Sequence, residues 1–62
     1  MTEKDYWTLK AMTKFGGGFV KKLAELCYQA DPINLQKIKE CWPNYFLEYG
    51  EMGFRLMQND KK

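Results

Sequence analysis

Apolar residues recur along this chain at the spacing of a helix face. The clearest segment runs from Phe19 to Ala30, where Phe, Val, Leu, Cys and Ala side chains share one face and Lys, Glu and Gln share the other. Related patterns precede and follow it. The sequence therefore predicts an all-α fold, a compact bundle of three to four short helices at about residues 3–15, 18–30, 32–42 and 44–57. We expect one small helical domain over residues 1–62, with a frayed polar tail at 58–62.

Local signals predict where these helices begin and end. Thr2 is a candidate N-cap for the first helix. Asp31 followed by Pro32 is typical of a cap and a first helical position, so a third helix begins there. Pro43 disfavours the α conformation at the residue before it, which ends the third helix and starts a fourth segment.

Three consecutive glycines lie between the first two helices, in the stretch Phe15 to Phe19. Glycine tolerates the positive φ angles of tight corners, so we expect a turn that makes helices 1 and 2 antiparallel neighbours, with both phenylalanines packed inward. On this interpretation Gly17→Val costs stability. The alternative is an anion site at the start of helix 2, beside several lysines, but the spacing of a phosphate loop is missing.

The predicted core takes one face from each helix. Helix 2 is expected to be a core helix, and the apolar arc of helix 1 is wide enough to touch two neighbours. The predicted core residues are Phe15, Phe19, Leu23, Leu26, Leu35, Ile38, Trp42, Tyr45 and Tyr49. Cys27 and Cys41 also lie on apolar faces, and we expect them to be reduced core residues.

The last helix carries more apolar side chains than 62 residues can readily bury. Three interpretations remain open. In the first, Gly50 ends the helix and Gly53 lies in a turn. In the second, the helix is continuous and the other three helices surround it. In the third, one side of the helix is a second surface, where the glycines allow close approach of a helix from another chain. The residues of that candidate protein interface are Phe46, Gly50, Gly53, Phe54 and Met57. Its occupant is a second copy or a different protein.

Composition narrows the possible functions. The net charge of +2 is too small to indicate a nucleic-acid binder by itself. A run of about 18 apolar residues is missing and the N-terminus is acidic, so we expect a cytoplasmic protein without a membrane segment. With no histidine and two cysteines, one copy cannot assemble a zinc site or a Cys-His nucleophile, and no cofactor is expected.

Several short stretches resemble a group of small uncharacterised helical proteins encoded by phages and prophages. They are Tyr6 to Met12, Phe15 to Lys21, Ala30-Asp31 with Asn34, and Trp42 to Phe46 with Tyr49. The resemblance implies a mobile-element origin and a location in the host cell cytosol, but it carries no catalytic or binding residues over to this chain. Small phage proteins commonly act by binding host machinery, including defence systems.

The leading hypothesis is a non-enzymatic protein-binding module, a phage-encoded modulator or inhibitor of a host protein that uses an aromatic and methionine surface. The alternative is nucleic-acid binding through a helix-turn-helix formed by residues 19–42. Its candidate contacts are Lys21, Lys22, Asn34, Gln36, Lys37 and Lys39. Catalysis by Glu48 and Glu51 is disfavoured, because paired carboxylates need a cleft that shifts one pKa.

Overall fold

A computed structural model of the protein describes residues 2–60, and every regular element in that range is an α-helix. The helices are α1 (Glu3–Phe15), α2 (Gly18–Gln29), α3 (Pro32–Cys41) and α4 (Pro43–Asp60). The predicted all-α bundle is confirmed. The first three helices match the expected ranges to within one residue at each end.

The predicted helix caps are present. The Thr2 hydroxyl accepts a hydrogen bond of 3.1 Å from the backbone N–H of Asp5. The Asp31 carboxylate accepts one of 2.7 Å from the N–H of Asn34 and so caps α3. Trp42, between α3 and α4, has φ −132° and ψ 62°, which is outside the helical region as expected for the residue before a proline.

The central helix is α1, not α4. Leu9, Ala11 and Met12 of α1 are completely buried, whereas Gly53 is the only buried residue of α4. α2 packs antiparallel to α1, as predicted, and its residue Cys27 lies near the start of α1. α4 packs more extensively on α1 than on any other helix, so α1 does have two neighbours.

The buried core is aliphatic. Leu23, Leu35 and Ile38 are buried as predicted, and Tyr45 and Tyr49 are half-buried against the same cluster. The buried hydrophobic residues are Leu9, Ala11, Met12, Val20, Leu23, Ala24, Cys27, Leu35 and Ile38.

Four predicted core residues lie on the surface instead. Phe15 is 52% exposed and Phe19 58% exposed, and Leu26 and Trp42 are also exposed. The reason in α2 is a rotation of the helix about its axis. Its inward stripe begins at Val20, so the neighbouring position Phe19 is displaced to the edge, about 100° away on an ideal helix.

The α1–α2 corner also differs from the prediction. No glycine in the described residues has a positive φ, and Gly16 and Gly17 both have φ −77°. What matters at Gly16 is space, because a Cβ there would lie 2.5 Å from the carbonyl oxygen of Met12 and 2.5 Å from Cγ1 of Val20. Gly17 has nothing within 4 Å of its Cβ position, so the steric reason for expecting damage from Gly17→Val is absent. Phe15 and Phe19 are exposed, so they do not pack inside the corner as predicted.

α4 is a continuous helix, so Gly50 does not end it and Gly53 does not form a turn. The interpretation of a continuous helix is correct, but α4 lies against α1 and is not surrounded by the other three helices. Residues 58–60 of the predicted tail continue α4 as helix. Residues 61 and 62 of the predicted tail lie outside the described residues.

A charged pair joins α1 to α3. Lys39 Nζ lies 2.7 Å from Asp5 Oδ1, and the Asp5 side chain is only 11% exposed. Burial by itself raises the pKa of the Asp5 carboxyl, but the hydrogen bond and charge of Lys39, with hydrogen bonds from Thr2, outweigh it and leave the pKa below its usual value. The pair therefore favours the ionised carboxylate in the folded state.

The two cysteines are free and lie in different environments. Cys27 is fully buried, as expected, but Cys41 is exposed at the end of α3, so the prediction of two core cysteines is wrong for Cys41. Burial, followed by the nearby charge of Asp5, raises the pKa of the Cys27 thiol. Only the Cys41 thiol is accessible to reagents in solution.

Candidate protein-binding surface

α4 approaches the backbone of α1 closely at Gly53. A Cβ on this residue would lie 2.5 Å from the carbonyl oxygen of Trp7, 2.6 Å from the Trp7 carbonyl carbon and 2.8 Å from the backbone nitrogen of Thr8. Gly53 therefore allows α4 to lie directly against the α1 backbone. It was predicted to admit a helix of another chain, but its neighbour is a helix of its own chain, and Gly53 is buried.

The other four candidates, Phe46, Gly50, Phe54 and Met57, lie around two adjoining hollows between α1 and α4. One hollow has a volume of about 590 Å³ and is lined by Phe46, Leu47, Gly50 and Phe54 among others. The second, of about 230 Å³, is lined by Trp7, Gly50, Phe54 and Met57 among others. Gly50 and Phe54 border both hollows, so the two form one continuous surface.

We call this surface the α1/α4 face and define it by Trp7, Phe46, Leu47, Gly50, Phe54 and Met57. Two of its apolar side chains are largely open to solvent, since Leu47 is 70% exposed and Phe54 is 54% exposed, and both line the larger hollow. The candidate set omitted Leu47, although positions 47, 50 and 54 follow helical spacing. Trp7 was missed because it belongs to the wide apolar arc of helix 1, which was expected to face the neighbouring helices.

Both signs of charge border the α1/α4 face. Lys4 lines both hollows, Arg55 and Glu51 line the larger one, and Glu3 lines the smaller one. The ion pairs found among residues 2–60 involve other side chains. Two acids and two bases thus remain available to a partner at the edge of an apolar surface.

Aromatic contacts hold Trp7 at the edge of the face. The rings of Tyr6 and Trp7 meet edge to face, with centroids 5.3 Å apart and an interplanar angle of 88°. The Lys10 ammonium lies 5.6 Å from the Tyr6 ring centroid and 5.4 Å from that of Trp7. These contacts reduce the freedom of the Trp7 ring, which lowers the entropy that a partner must remove on binding.

A separate aromatic cluster lies where α2 meets the α3–α4 connection. The Phe19 ring centroid is 6.0 Å from that of Trp42 and 6.0 Å from that of Tyr45. These aromatic side chains lie next to one another at the edge of the aliphatic core.

The residues of the proposed helix-turn-helix are in part engaged inside the chain. Lys39 is paired with Asp5 and half-buried. The Asn34 amide donates a hydrogen bond of 3.3 Å to its own capping aspartate, and Lys22 lies 3.6 Å from a glutamate one turn along α2. Lys21, Gln36 and Lys37 are exposed. Contact with a nucleic acid through Lys39 would require breaking its ion pair.

The described residues offer no metal-binding group of three or more Cys, Asp or Glu side chains. None of the helices between residues 2 and 60 has the length and apolar character needed to cross a membrane. Comparison with protein-family models, curated proteins and solved structures gives no match for this chain. The functional argument therefore rests on the surface itself.

Proposed function

We propose that this protein is a non-enzymatic protein-binding module that acts through the α1/α4 face. The observation that carries the proposal is the position of the aromatic side chains. The chain has two tryptophans, four tyrosines and four phenylalanines, and not one of them is fully buried, while the core is aliphatic. Exposed Trp, Tyr, Phe and Met side chains are enriched where proteins bind one another.

The shape of the α1/α4 face supports a protein as the partner. Its larger hollow is open to solvent, whereas most small ligands are surrounded by enclosed clefts. Its apolar residues follow one side of a helix and are bordered by charged residues, which is the usual arrangement of an interface core and its polar rim.

The resemblance to small phage and prophage proteins suggests where the partner comes from. Such proteins commonly act by binding host machinery, so we propose a bacterial host protein as the target and modulation or inhibition of that protein as the result. A defence protein is one such target. The function proposed here needs no cofactor and no chemical step, and the host cytosol is the compartment in which it would take place.

A capture experiment with matched baits tests this proposal. The baits are the wild-type protein, the Leu47→Glu variant and the Ile33→Glu variant. Ile33 is a suitable control because it is 71% exposed, similar to Leu47, but lies on α3 away from the α1/α4 face. Circular dichroism first establishes that all three baits are folded.

We expect a host protein that is captured by the wild-type and Ile33→Glu baits but not by Leu47→Glu. A charge introduced at an apolar interface position must be desolvated on binding, which is why this substitution removes the partner. If the Leu47→Glu bait captures the same proteins as the wild type, the α1/α4 face is not the binding surface and the proposal is wrong.

A further inference from the structure

The α1/α4 face has the features of a surface that binds its own copy. A twofold-symmetric dimer uses the same patch on both subunits, so that patch must contain both members of each contact. Leu47 and Phe54 are both exposed, lie seven residues apart on α4 and line the larger hollow of the face. One face thus provides exposed apolar side chains and a hollow on the same side of α4, so both members of an apolar contact between two copies are present.

The charges around the face also favour a second copy as the partner. Glu3 and Glu51 balance Lys4 and Arg55, and all four line the hollows. A strongly acidic or strongly basic partner would leave half of these charges facing a like charge, which opposes binding. A second copy supplies two acids and two bases, so each charged group can meet an opposite one.

From these observations we propose that a second copy of this chain covers the α1/α4 face, with the two α4 helices antiparallel and Leu47 of each copy packed near Phe54 of the other. This inference rests on the proposed function, because it names the occupant of the same surface. A host protein that uses the face must displace the second copy. The apolar strip from Phe46 to Met57 is only about 17 Å long at the helical rise. Interfaces at the small end of the size range are weak, so we expect dissociation in the micromolar range.

Sedimentation velocity of the purified protein, from low micromolar to near-millimolar concentration, tests the dimer without any substitution. We expect the weight-average sedimentation coefficient to rise with concentration from the monomer value to the dimer value. Leu47→Glu and Phe54→Glu should each weaken the dimer about tenfold or more, as loss of a central apolar contact does. Ile33→Glu should dimerise like the wild type.

A charge exchange tests the pairing at the edge of the face. Glu51→Lys makes the edge positive and Arg55→Glu makes it negative, so each variant alone should self-associate less than the wild type. An equimolar mixture of the two should recover association, because the heterodimer again places opposite charges together. A mixture that associates no better than the separate variants would contradict the charge pairing.

A wild-type protein that remains monomeric over the whole concentration range would overturn the inference. So would a dimer that Ile33→Glu dissociates and Leu47→Glu leaves intact. These results differ from failure of the proposed function. If the wild type is monomeric and a host protein is still lost with the Leu47→Glu bait, the second copy is excluded and the binding surface remains.

Discussion

Gly53 and Gly50 lie three residues apart on α4, and replacing each of them with alanine should change stability in opposite directions. A Cβ at position 53 would lie 2.5 Å from the Trp7 carbonyl oxygen, roughly 0.9 Å inside the 3.4 Å at which ordinary contact begins. The atoms it meets belong to the α1 backbone, which cannot move aside as a flexible side chain can. The two helices must therefore separate along their contact, which is the most extensive between any two helices of the bundle.

At Gly50 the same Cβ would meet only the Thr8 hydroxyl oxygen, at 3.7 Å. This is an ordinary van der Waals distance, so Gly50→Ala adds no strain. Alanine in a helix interior is more stable than glycine by about 1 kcal/mol, because glycine loses more backbone entropy on folding. The Gly50→Ala variant is thus a matched control that carries the same gain in helix propensity without the steric cost.

The magnitudes follow from these two effects. Overpacking costs about 1 to 3 kcal/mol, and rigid backbone neighbours place Gly53→Ala near the upper limit. After subtraction of the propensity gain, we expect Gly53→Ala to lower the free energy of unfolding by about 2 kcal/mol. Gly50→Ala should raise it by up to about 1 kcal/mol. In a domain of this size each kcal/mol corresponds to about 4 to 8 °C in Tm.

Urea and thermal unfolding followed by circular dichroism measure both variants. The protein concentration should be low enough that self-association does not contribute. If Gly53→Ala is as stable as Gly50→Ala, then α4 does not approach the α1 backbone at this residue and the α1–α4 crossing described above is wrong.

Three further predictions concern the corner, the ion pair and the thiols. Gly16→Ser should lower the free energy of unfolding, measured by urea titration, by about 1 to 3 kcal/mol. Gly17→Ser adds a helix cap in open space and should leave the free energy of unfolding equal or raise it by a few tenths of a kcal/mol. Equal effects of the two substitutions would contradict the corner geometry. The folded pKa of Asp5 is lowered, so the stability that its carboxylate contributes is complete above the unfolded pKa of about 3.9 and is lost as pH falls through the folded pKa. Asp5→Asn should therefore reduce the acid sensitivity of thermal unfolding, and an unchanged acid profile would exclude the ion pair. Lys39→Met should lower the free energy of unfolding by about 1.5 to 3 kcal/mol at neutral pH. A thiol-reactive chromophore should label Cys41 quickly in the native protein and should label Cys27 only on unfolding. Two fast-reacting thiols would show that Cys27 is not buried and would contradict the described core.

Helix boundaries could be predicted from the sequence because their signals are local. A threonine or aspartate cap acts on an N–H three residues away, and a proline constrains the residue before it, so Thr2, Asp31 and Pro43 needed no tertiary information. The rotation of α2 could not be obtained in this way. Positions 19 and 20 are both apolar, Phe and Val, and the neighbouring helices determine which of these side chains points into the core.

The glycines of α4 are a second case in which the sequence does not predict the tertiary contacts. Gly50 and Gly53 are indistinguishable in sequence, yet one lies at ordinary contact distance and the other against a helix backbone. The candidate interface was identified from an excess of apolar residues on one helix, and Phe46, Phe54 and Met57 do line the surface. Gly53 does not, because its exposure depends on where α1 crosses, and the sequence pattern alone contains no such information.

Site-specific photocrosslinking in bacterial cells tests the central claim most directly. A photoreactive amino acid replaces Leu47 in one variant and Ile33 in another, two positions with nearly equal exposure on different surfaces. If the α1/α4 face binds proteins, the variant at position 47 forms discrete protein adducts, to a second copy or to a host protein, and the variant at position 33 does not. Adducts at position 33 with none at position 47 would contradict the account.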